Sequence, residues 1–369
     1  MSSKELIRPL TALRFYAAFL VFSIHASMLP GLQWLGHVGS DLQGKIGVSV
    51  FFVLSGFIMT YVYYGEDRYE PSRLSGGRFI IARLTRIYPL HILTMLISLP
   101  LGLNSPTAPV DPAALPYHFL LLQEFSPFGY LGDAPNKVSW TLSCEMFFYL
   151  MTPLVFTLMI RTKKFKAWTV GILFLVVSAA TVLFMFYPEI HEERAMFRWS
   201  DYLLGILAFL FFQKAQFNIR PWMKWLMPFG IAWFCFMMYG EYHWWDELPT
   251  TLMLLPGSVA IVLGTGFLKH TKSWFLASDR MVFLGEASFA FYMVHEFILR
   301  YSRVALMKIG FEIHWLLYIP WMVFVFIVIQ WVAIQFHVRF EVPMQENGRR
   351  WLFKVFRLDK KKVVPAVSR

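Results

Sequence analysis

The stretch LTALRFYAAFLVFSIHASML at residues 10–29 indicates most clearly how this chain folds. It holds a single charged side chain, Arg14, and a single histidine, His25. A helix of roughly 20 mostly apolar residues is long enough to cross the hydrocarbon core of a bilayer. With nine further stretches of this character, this one makes a series of ten, of which the sixth is the shortest: 10–29, 44–64, 79–101, 139–160, 167–187, 199–213, 223–240, 248–268, 281–302 and 314–338. We therefore predict an all-α, polytopic membrane protein with about ten transmembrane helices.

The composition agrees with a chain whose surface meets lipid. Hydrophobic residues make up 57% and charged residues 15%, whereas soluble domains carry about 25% charged residues. The net charge of +11 resides in loops beside the apolar stretches, so we expect the lipid bilayer as partner and no nucleic acid. The N-terminal segment shows no small-residue cleavage site, which predicts that the first span is retained. The two cysteines, Cys144 and Cys235, lie in apolar stretches and indicate neither a disulfide nor a metal site.

The loops between the stretches alternate in charge. Lysine and arginine dominate at 161–166, 214–224, 269–272 and in the tail, whereas 111–133, 189–193 and 241–247 are acidic or mixed. An excess of lysine and arginine marks the cytoplasmic side. We therefore predict that both termini are cytoplasmic, with a segment 1–9, one membrane domain 10–338 and a basic tail 339–369. The apolar stretch 115–124 is too short to cross and predicts a re-entrant or interfacial piece.

Ionisable groups inside the spans form two predicted layers. Such groups are costly in a bilayer and favour a functional site. Counted from the helix ends, Arg14, Arg83 and Arg86 lie near the cytoplasm, and His25, Glu145 and His295 lie deeper toward the outside. Arginine forks suit phosphate oxygens, and a histidine beside a carboxylate suits proton transfer near neutral pH.

Other interpretations of these residues stay open at this point. The arginines also fit cytoplasmic anchoring of the helix ends, and His295 also fits a structural histidine held by Tyr292 or Tyr301. A buried histidine and glutamate at one depth also suit the proton relay of a transporter or exporter. No set of three or four ligands has metal spacing, so we expect no metal.

Five segments together point to a family: 10–25 (LTALRFYAAFLVFSIH), 47–60 (GVSVFFVLSGFIMT), 83–91 (RLTRIYPLH), 139–153 (SWTLSCEMFFYLMTP) and 284–295 (LGEASFAFYMVH). In this order they resemble the acyltransferase type 3 family of bacterial membrane O-acyltransferases. The chain resembles the shorter, stand-alone members, which lack a C-terminal hydrolase-like domain. The resemblance implies a multi-pass protein of the bacterial inner membrane that acylates hydroxyls of exopolysaccharide, O-antigen or other glycans. It also implies acetyl-coenzyme A as the donor, and saccharide or glycolipid acceptors and polysaccharide-assembly proteins as partners.

The two layers and the resemblance suggest a mechanism. Coenzyme A is expected to dock against Arg83 and Arg86, with Arg14, and His25 to act as general base while Glu145 orients its ring. Covalent acylation of His25 remains an alternative. The donors that stabilise the oxyanion stay undecided among the following side chains of the fourth span: Trp140, Ser143 and Tyr149. Tyr88, which follows the paired arginines, is a further candidate site residue.

Overall fold

The regular secondary structure is helical throughout the part of the chain that the computed structural model describes: 7–38, 42–64, 77–105, 109–125, 134–184, 194–216, 220–241, 250–268 and 274–356. Twelve of the helices have eight or more residues. They are α1 (Arg8–Ala26), α2 (Leu42–Tyr63), α3 (Arg78–Leu103), α4 (Trp140–Thr162), α5 (Lys166–Phe184), α6 (Ala195–Ala215), α7 (Leu226–Glu241), α8 (Thr250–Phe267), α9 (Asp279–Glu286), α10 (Ser288–Lys308), α11 (Tyr318–Phe336) and α12 (Val342–Val355).

An all-α, polytopic membrane protein is confirmed. Each of the ten predicted stretches coincides with a helix, and the ninth is bent by 59° between α9 and α10. Within the described residues, 7 helical stretches are long and apolar enough to cross a membrane, or 8 with this bent pair. One of them, Lys137–Phe184, contains both α4 and α5, whereas α7 has only 16 residues. The number of ten crossings and the cytoplasmic termini therefore stay predictions.

The sixth span is longer than its predicted limits of 199–213. Helix α6 begins at Ala195 and has 21 residues. Its first turn contains Arg198, whose guanidinium is buried and lies 3.3 Å from the carboxylate of Asp201 and 3.0 Å from the hydroxyl of Thr251. A buried charge is tolerated when it is paired and hydrogen-bonded. The predicted span begins only after Arg198, because the pairing of this charge is not visible in the sequence.

The short apolar stretch 115–124 folds back against the bundle. It forms a five-residue helix, Leu115–Phe119, followed by turns. The buried His91 on α3 contacts the carbonyl of His118 at 3.1 Å, and Ser143 on α4 donates to the carbonyl of Leu121 at 2.8 Å. At the other end of the chain, a π-helical turn, His337–Glu341, joins α11 to α12, and α12 packs against α3. Residues 1–6 and 357–369 of the predicted terminal segments lie outside the described residues.

The core of the bundle depends on a close approach of α2 and α6. These helices cross at Gly56 and Gly205, where a Cβ on either residue would overlap backbone atoms of the other helix. Small residues at such crossings let helix backbones pack directly in a membrane. The crossing holds α2 in place, and α2 supplies one wall of the cavity described below.

Replacing Gly205 by valine is expected to destabilise the protein because the added methyls force α2 and α6 apart. Overpacking of a well-packed core costs about 1–3 kcal/mol, and more where backbone must move. Thermal unfolding in detergent measures the effect as a fall in Tm. Gly171→Val on α5 is the matched control, because no atom lies within 4 Å of a Cβ built there. Equal Tm values for the two variants would contradict the close approach.

Candidate active site

A cavity lies between α1, α2, α3, α4 and α10 and is lined by the three predicted arginines and by Glu145. Its empty volume is about 1050 Å³, counting the space open to solvent. Most of its wall is apolar, including Phe51, Phe52 and Leu54 of α2. Its polar lining consists of Arg14, Ser55, Arg83, Arg86, Thr141, Glu145, Tyr149, Ser288 and Tyr292. An apolar cavity with a few convergent polar groups is the usual form of a small-molecule site.

Two arginines in this cavity have no bonded partner among the described residues. Arg14 and Arg86 both line it, and neither forms a hydrogen bond or ion pair with any residue that the structure describes. Glu145 and Glu341 act on Arg14 only through longer-range electrostatic attraction. An arginine inside a membrane protein is normally paired, because leaving the charge uncompensated is costly. The two guanidinium groups can therefore bind an anionic ligand in the cavity.

Arg83 is held by aromatic side chains in the same cavity. It donates to the hydroxyl of Tyr63 at 3.0 Å, and its guanidinium lies over the rings of Tyr63 and Tyr149 at 5.6 Å and 5.8 Å. Cation–π contacts of this kind stabilise a desolvated charge without neutralising it. The structure thus brings the three predicted arginines together, with Arg83 fixed and the other two available to a ligand.

Glu145 lies with the arginines and not, as the sequence analysis expected, beside His25. Its carboxylate accepts a 2.9 Å hydrogen bond from the hydroxyl of Tyr149, one turn further along α4. It lines the cavity together with the arginines. The expected depth was counted from Ser139 as a surface position. In the structure, Thr141 at the start of α4 already contacts Tyr292 of α10 inside the bundle, so the next turn lies closer to the arginines.

His25 pairs with His295 across a separation of 270 residues in sequence. Nδ1 of His25 lies 2.8 Å from Nε2 of His295, and the rings are stacked with centroids 5.1 Å apart. Nδ1 of His295 lies 3.1 Å from the carbonyl oxygen of Phe291. A carbonyl only accepts, so His295 donates from Nδ1 and accepts at Nε2. His25 then donates from Nδ1, and Nε2 is the basic nitrogen of its ring.

Tyr292 connects the cavity to this histidine pair. Its ring lies edge-on to His295 with centroids 5.8 Å apart, and its hydroxyl is hydrogen-bonded to that of Thr141 at 3.1 Å. The hydroxyl of Thr141 also bonds the carbonyl of Val138 at 3.0 Å. His295 bonds His25 and the carbonyl of Phe291, and its contact with Tyr292 is through the ring edge. The hydroxyl of Tyr301 donates to the carbonyl of Ile97 at 2.8 Å.

The remaining candidates have other partners. Ser143 donates to the carbonyl of Leu121 and accepts from the amide of Glu124, so its hydroxyl faces the segment 109–125. The proton of Tyr149 is directed to Glu145. Tyr88 donates to the carbonyl of Leu120 at 3.0 Å, and Trp140 packs edge-on against Phe52. Tyr292, which sequence reasoning considered only as a partner of His295, is thus the hydroxyl that lies between the cavity and the histidines.

The site has an order along the helix axes. On α1, His25 follows Arg14 by eleven residues, or roughly 16 Å. On α10, Ser288 and Tyr292 line the cavity and His295 follows one turn beyond Tyr292. Along this direction the cavity begins at the arginines, continues between apolar side chains and ends at Tyr292, and the histidine pair follows beyond it. Such an arrangement can hold a long ligand by its charged end and deliver its other end to a base.

Comparison with known proteins gives the family. The acyltransferase domain model Acyl_transf_3 matches residues 8–335. Acyltransferase MdmB of Streptomyces mycarofaciens is 29% identical over 339 residues, covering 83% of this chain and 82% of that protein. Nodulation protein 10 of Rhizobium leguminosarum bv. viciae is 29% identical over 43% of this chain and 47% of its own length. O-acetyltransferase OatA of Staphylococcus aureus is 26% identical over 57% of this chain and 36% of its own length. No solved structure matches. The chain belongs to this family of acyltransferases.

Proposed function

We propose that the protein transfers an acyl group, in the simplest case acetyl, from cytoplasmic acyl-coenzyme A to a hydroxyl of a saccharide or glycolipid on the outer side of the bacterial inner membrane. The observation that carries this proposal is the axial order from Arg14 and Arg86 to His25. Two arginines without bonded partners among the described residues suit the phosphates of coenzyme A. The first cavity runs from these arginines to Tyr292, one turn before His295 on α10, and in this proposal it takes the extended pantetheine arm.

The names of the relatives support oxygen as the acceptor atom. One similar protein is called an O-acetyltransferase, and the relative matched over most of its length is called an acyltransferase. Membership of an acyltransferase family also argues against the alternative of a proton-coupled transporter or exporter. The histidine pair then serves proton transfer between substrates and not proton transport across the membrane.

The chemistry assigns a step to each side chain. Nε2 of His25 accepts the proton of the acceptor hydroxyl, whose oxygen attacks the thioester carbonyl carbon. His295, held by the carbonyl of Phe291, accepts the Nδ1 hydrogen bond and keeps the imidazolium in orientation. The carbon–sulfur bond breaks, and the imidazolium returns its proton to the departing thiolate, which leaves as coenzyme A.

Tyr292 supplies the oxyanion donor in this scheme. Tyr292 lines the cavity, and the single hydroxyl proton of its neighbour Thr141 can go to the carbonyl of Val138 at 3.0 Å. When the donor is bound, the phenolic hydrogen of Tyr292 turns to the carbonyl oxygen of the thioester as negative charge develops there. Removal of one oxyanion donor typically lowers kcat by about 10²–10³-fold. This donor was not identifiable from the sequence, where Trp140, Ser143 and Tyr149 were the candidates.

Tyr292→Phe is expected to lower kcat by about 10²-fold with little change in the KM for acetyl-coenzyme A, since the donor acts mainly in the transition state. Transfer of labelled acetyl into the glycan and glycolipid fractions of membranes measures the rate. Tyr301→Phe is the matched control on the same helix, because Tyr301 is exposed and bonds only a backbone carbonyl. Equal kcat values in the two variants would remove Tyr292 from the mechanism.

A further inference from the structure

A second cavity adjoins the first at Arg14 and Arg86. Its empty volume is about 1060 Å³ with the space open to solvent, and both arginines line both cavities, as do Ile58 and Val62 of α2. The remaining lining comes from the first residues of α1, from Glu286 at the bend between α9 and α10, and from the π-helical turn and α12. This second cavity therefore lies on the side of the arginines that faces away from His25.

The walls of the second cavity combine apolar surface with hydrogen-bond acceptors. Ile7, Leu10 and Val342 provide apolar surface. The acceptors are Glu286, Glu341 and the amide of Gln345. Carboxylates at this position repel phosphate groups and leave them to the arginines. The same carboxylates accept hydrogen bonds from amino and hydroxyl groups. A flat, apolar ring that carries an amino group and is attached to a sugar fits such walls.

The turn that presents Glu341 has an uncommon geometry. Residues His337–Glu341 form a π-helix, and Nδ1 of His337 donates to the carboxylate of Glu341 at 2.8 Å. Both side chains are buried and both line the second cavity. π-Helical turns inside helices are frequent at functional sites. Here the turn directs one carboxylate oxygen to His337 and orients Glu341 toward the cavity.

We infer that the second cavity binds the adenosine part of the coenzyme A donor. The inference rests on the proposed function and extends it to the other end of the same ligand. The diphosphate lies at Arg14 and Arg86, the pantetheine arm passes through the first cavity toward His25, and the adenosine remains behind the arginines. The amino group of the purine and the ribose hydroxyl donate to Glu286, Glu341 and Gln345.

The test compares coenzyme A with a compound that lacks its adenosine, its 3′-phosphate and one phosphate of the diphosphate. Selective losses in the variants, and not the wild-type difference alone, therefore report the adenosine contacts. Binding of coenzyme A and of 4′-phosphopantetheine is measured by calorimetry on the purified full-length protein in lipid nanodiscs. Wild-type protein is expected to bind coenzyme A at least tenfold more tightly. Gln345→Leu and Glu286→Gln are expected to weaken coenzyme A binding about tenfold and to leave the affinity for 4′-phosphopantetheine the same. The control Glu346→Gln changes an exposed carboxylate that pairs with Arg350 and is expected to alter neither affinity.

The outcomes separate this inference from the proposed function. Equal wild-type affinities for the two compounds, or equal losses for both in the variants, would overturn the adenosine site and leave the donor standing. Absence of binding by either compound would overturn the donor and the adenosine site together. Competition provides a second test. Adenosine 3′,5′-bisphosphate is expected to displace coenzyme A from the wild-type protein. In Gln345→Leu it is expected to compete about tenfold less well. Failure of the bisphosphate to displace coenzyme A would also overturn the adenosine site.

Discussion

Replacing His25 by alanine is expected to lower kcat for acyl transfer by about 10²–10⁴-fold, the range that a positioned general base contributes. The reason is specific to the ring. The bond chain from Phe291 through His295 to His25 fixes the tautomer in which Nε2 of His25 is basic. Without that nitrogen, the acceptor hydroxyl keeps its proton and attacks the thioester poorly. Donor binding is expected to survive, because the arginines lie roughly 16 Å away along α1.

Two further variants distinguish a loss of the catalytic base from a loss of folded protein. His314→Ala removes an exposed histidine that caps the short turn Trp315–Leu317 and is expected to keep full activity. His295→Ala is expected to lower kcat less than His25→Ala, and the double variant to be no slower than His25→Ala, because residues that act as one unit are not additive. A rate in His25→Ala close to wild type, at equal protein levels, would remove His25 as the base.

Replacing Arg14 and Arg86 together by alanine is expected to abolish measurable use of acetyl-coenzyme A at ordinary concentrations. Hydrogen bonds to a charged group contribute about 1.5–3 kcal/mol each, which corresponds to a roughly 10- to 100-fold weaker binding for each arginine lost. Calorimetry with coenzyme A measures the loss directly. Arg14→Lys keeps the charge but not the planar fork and is expected to fall between wild type and Arg14→Ala.

The matched control for the arginines is Arg350→Ala. This arginine is exposed on α12 and pairs with Glu346 at 3.2 Å, so its removal lowers the net charge by the same amount as Arg14→Ala alone, without touching either cavity. Its coenzyme A affinity is expected to equal that of wild type. A similar loss of affinity in Arg350→Ala would mean that the surface charge, and not the cavity, attracts the donor.

Much of the fold was predictable because the bilayer imposes a simple rule on the chain. Long apolar runs must form helices whose backbone groups bond internally, so the runs at 10–29 and 44–64 mark α1 and α2 within a few residues. The limits of α6 were less predictable. Arg198 and Asp201 compensate one another inside the bundle, and a charge count along the sequence does not reveal such a pair.

The identities of the site residues were more predictable than their neighbours. A charged or titratable residue in a span needs an explanation, and this rule selected the arginines that line the cavity, Arg14 among them, and also His25 and His295. The pairing of His25 with His295 depends on how α1 and α10 face each other. The grouping of Glu145 with the arginines depends on how deep in the bundle the first turn of α4 lies. The second cavity joins residues near 10 and near 340, which no local pattern relates.

Tyr292 shows a signal that sequence reasoning can use elsewhere. It stands three residues before His295 on one helix, so the two side chains share a face. A tyrosine and a histidine on the same face of an otherwise apolar span therefore indicate a polar passage. The residue that faces Tyr292 could not be predicted from the sequence of α10 alone, because it is Thr141 in the first turn of α4.

The most direct test of the central claim, transfer from cytoplasmic acyl-coenzyme A through the membrane to an outer hydroxyl, uses sealed vesicles from the native bacterium. Labelled acetyl-coenzyme A is added to inside-out vesicles, whose cytoplasmic face is accessible, and to right-side-out vesicles. The wild-type protein is expected to label the glycan or glycolipid fraction enclosed in inside-out vesicles only, and His25→Ala to label neither. Label that enters right-side-out vesicles equally well, or that does not depend on His25, would contradict the claim.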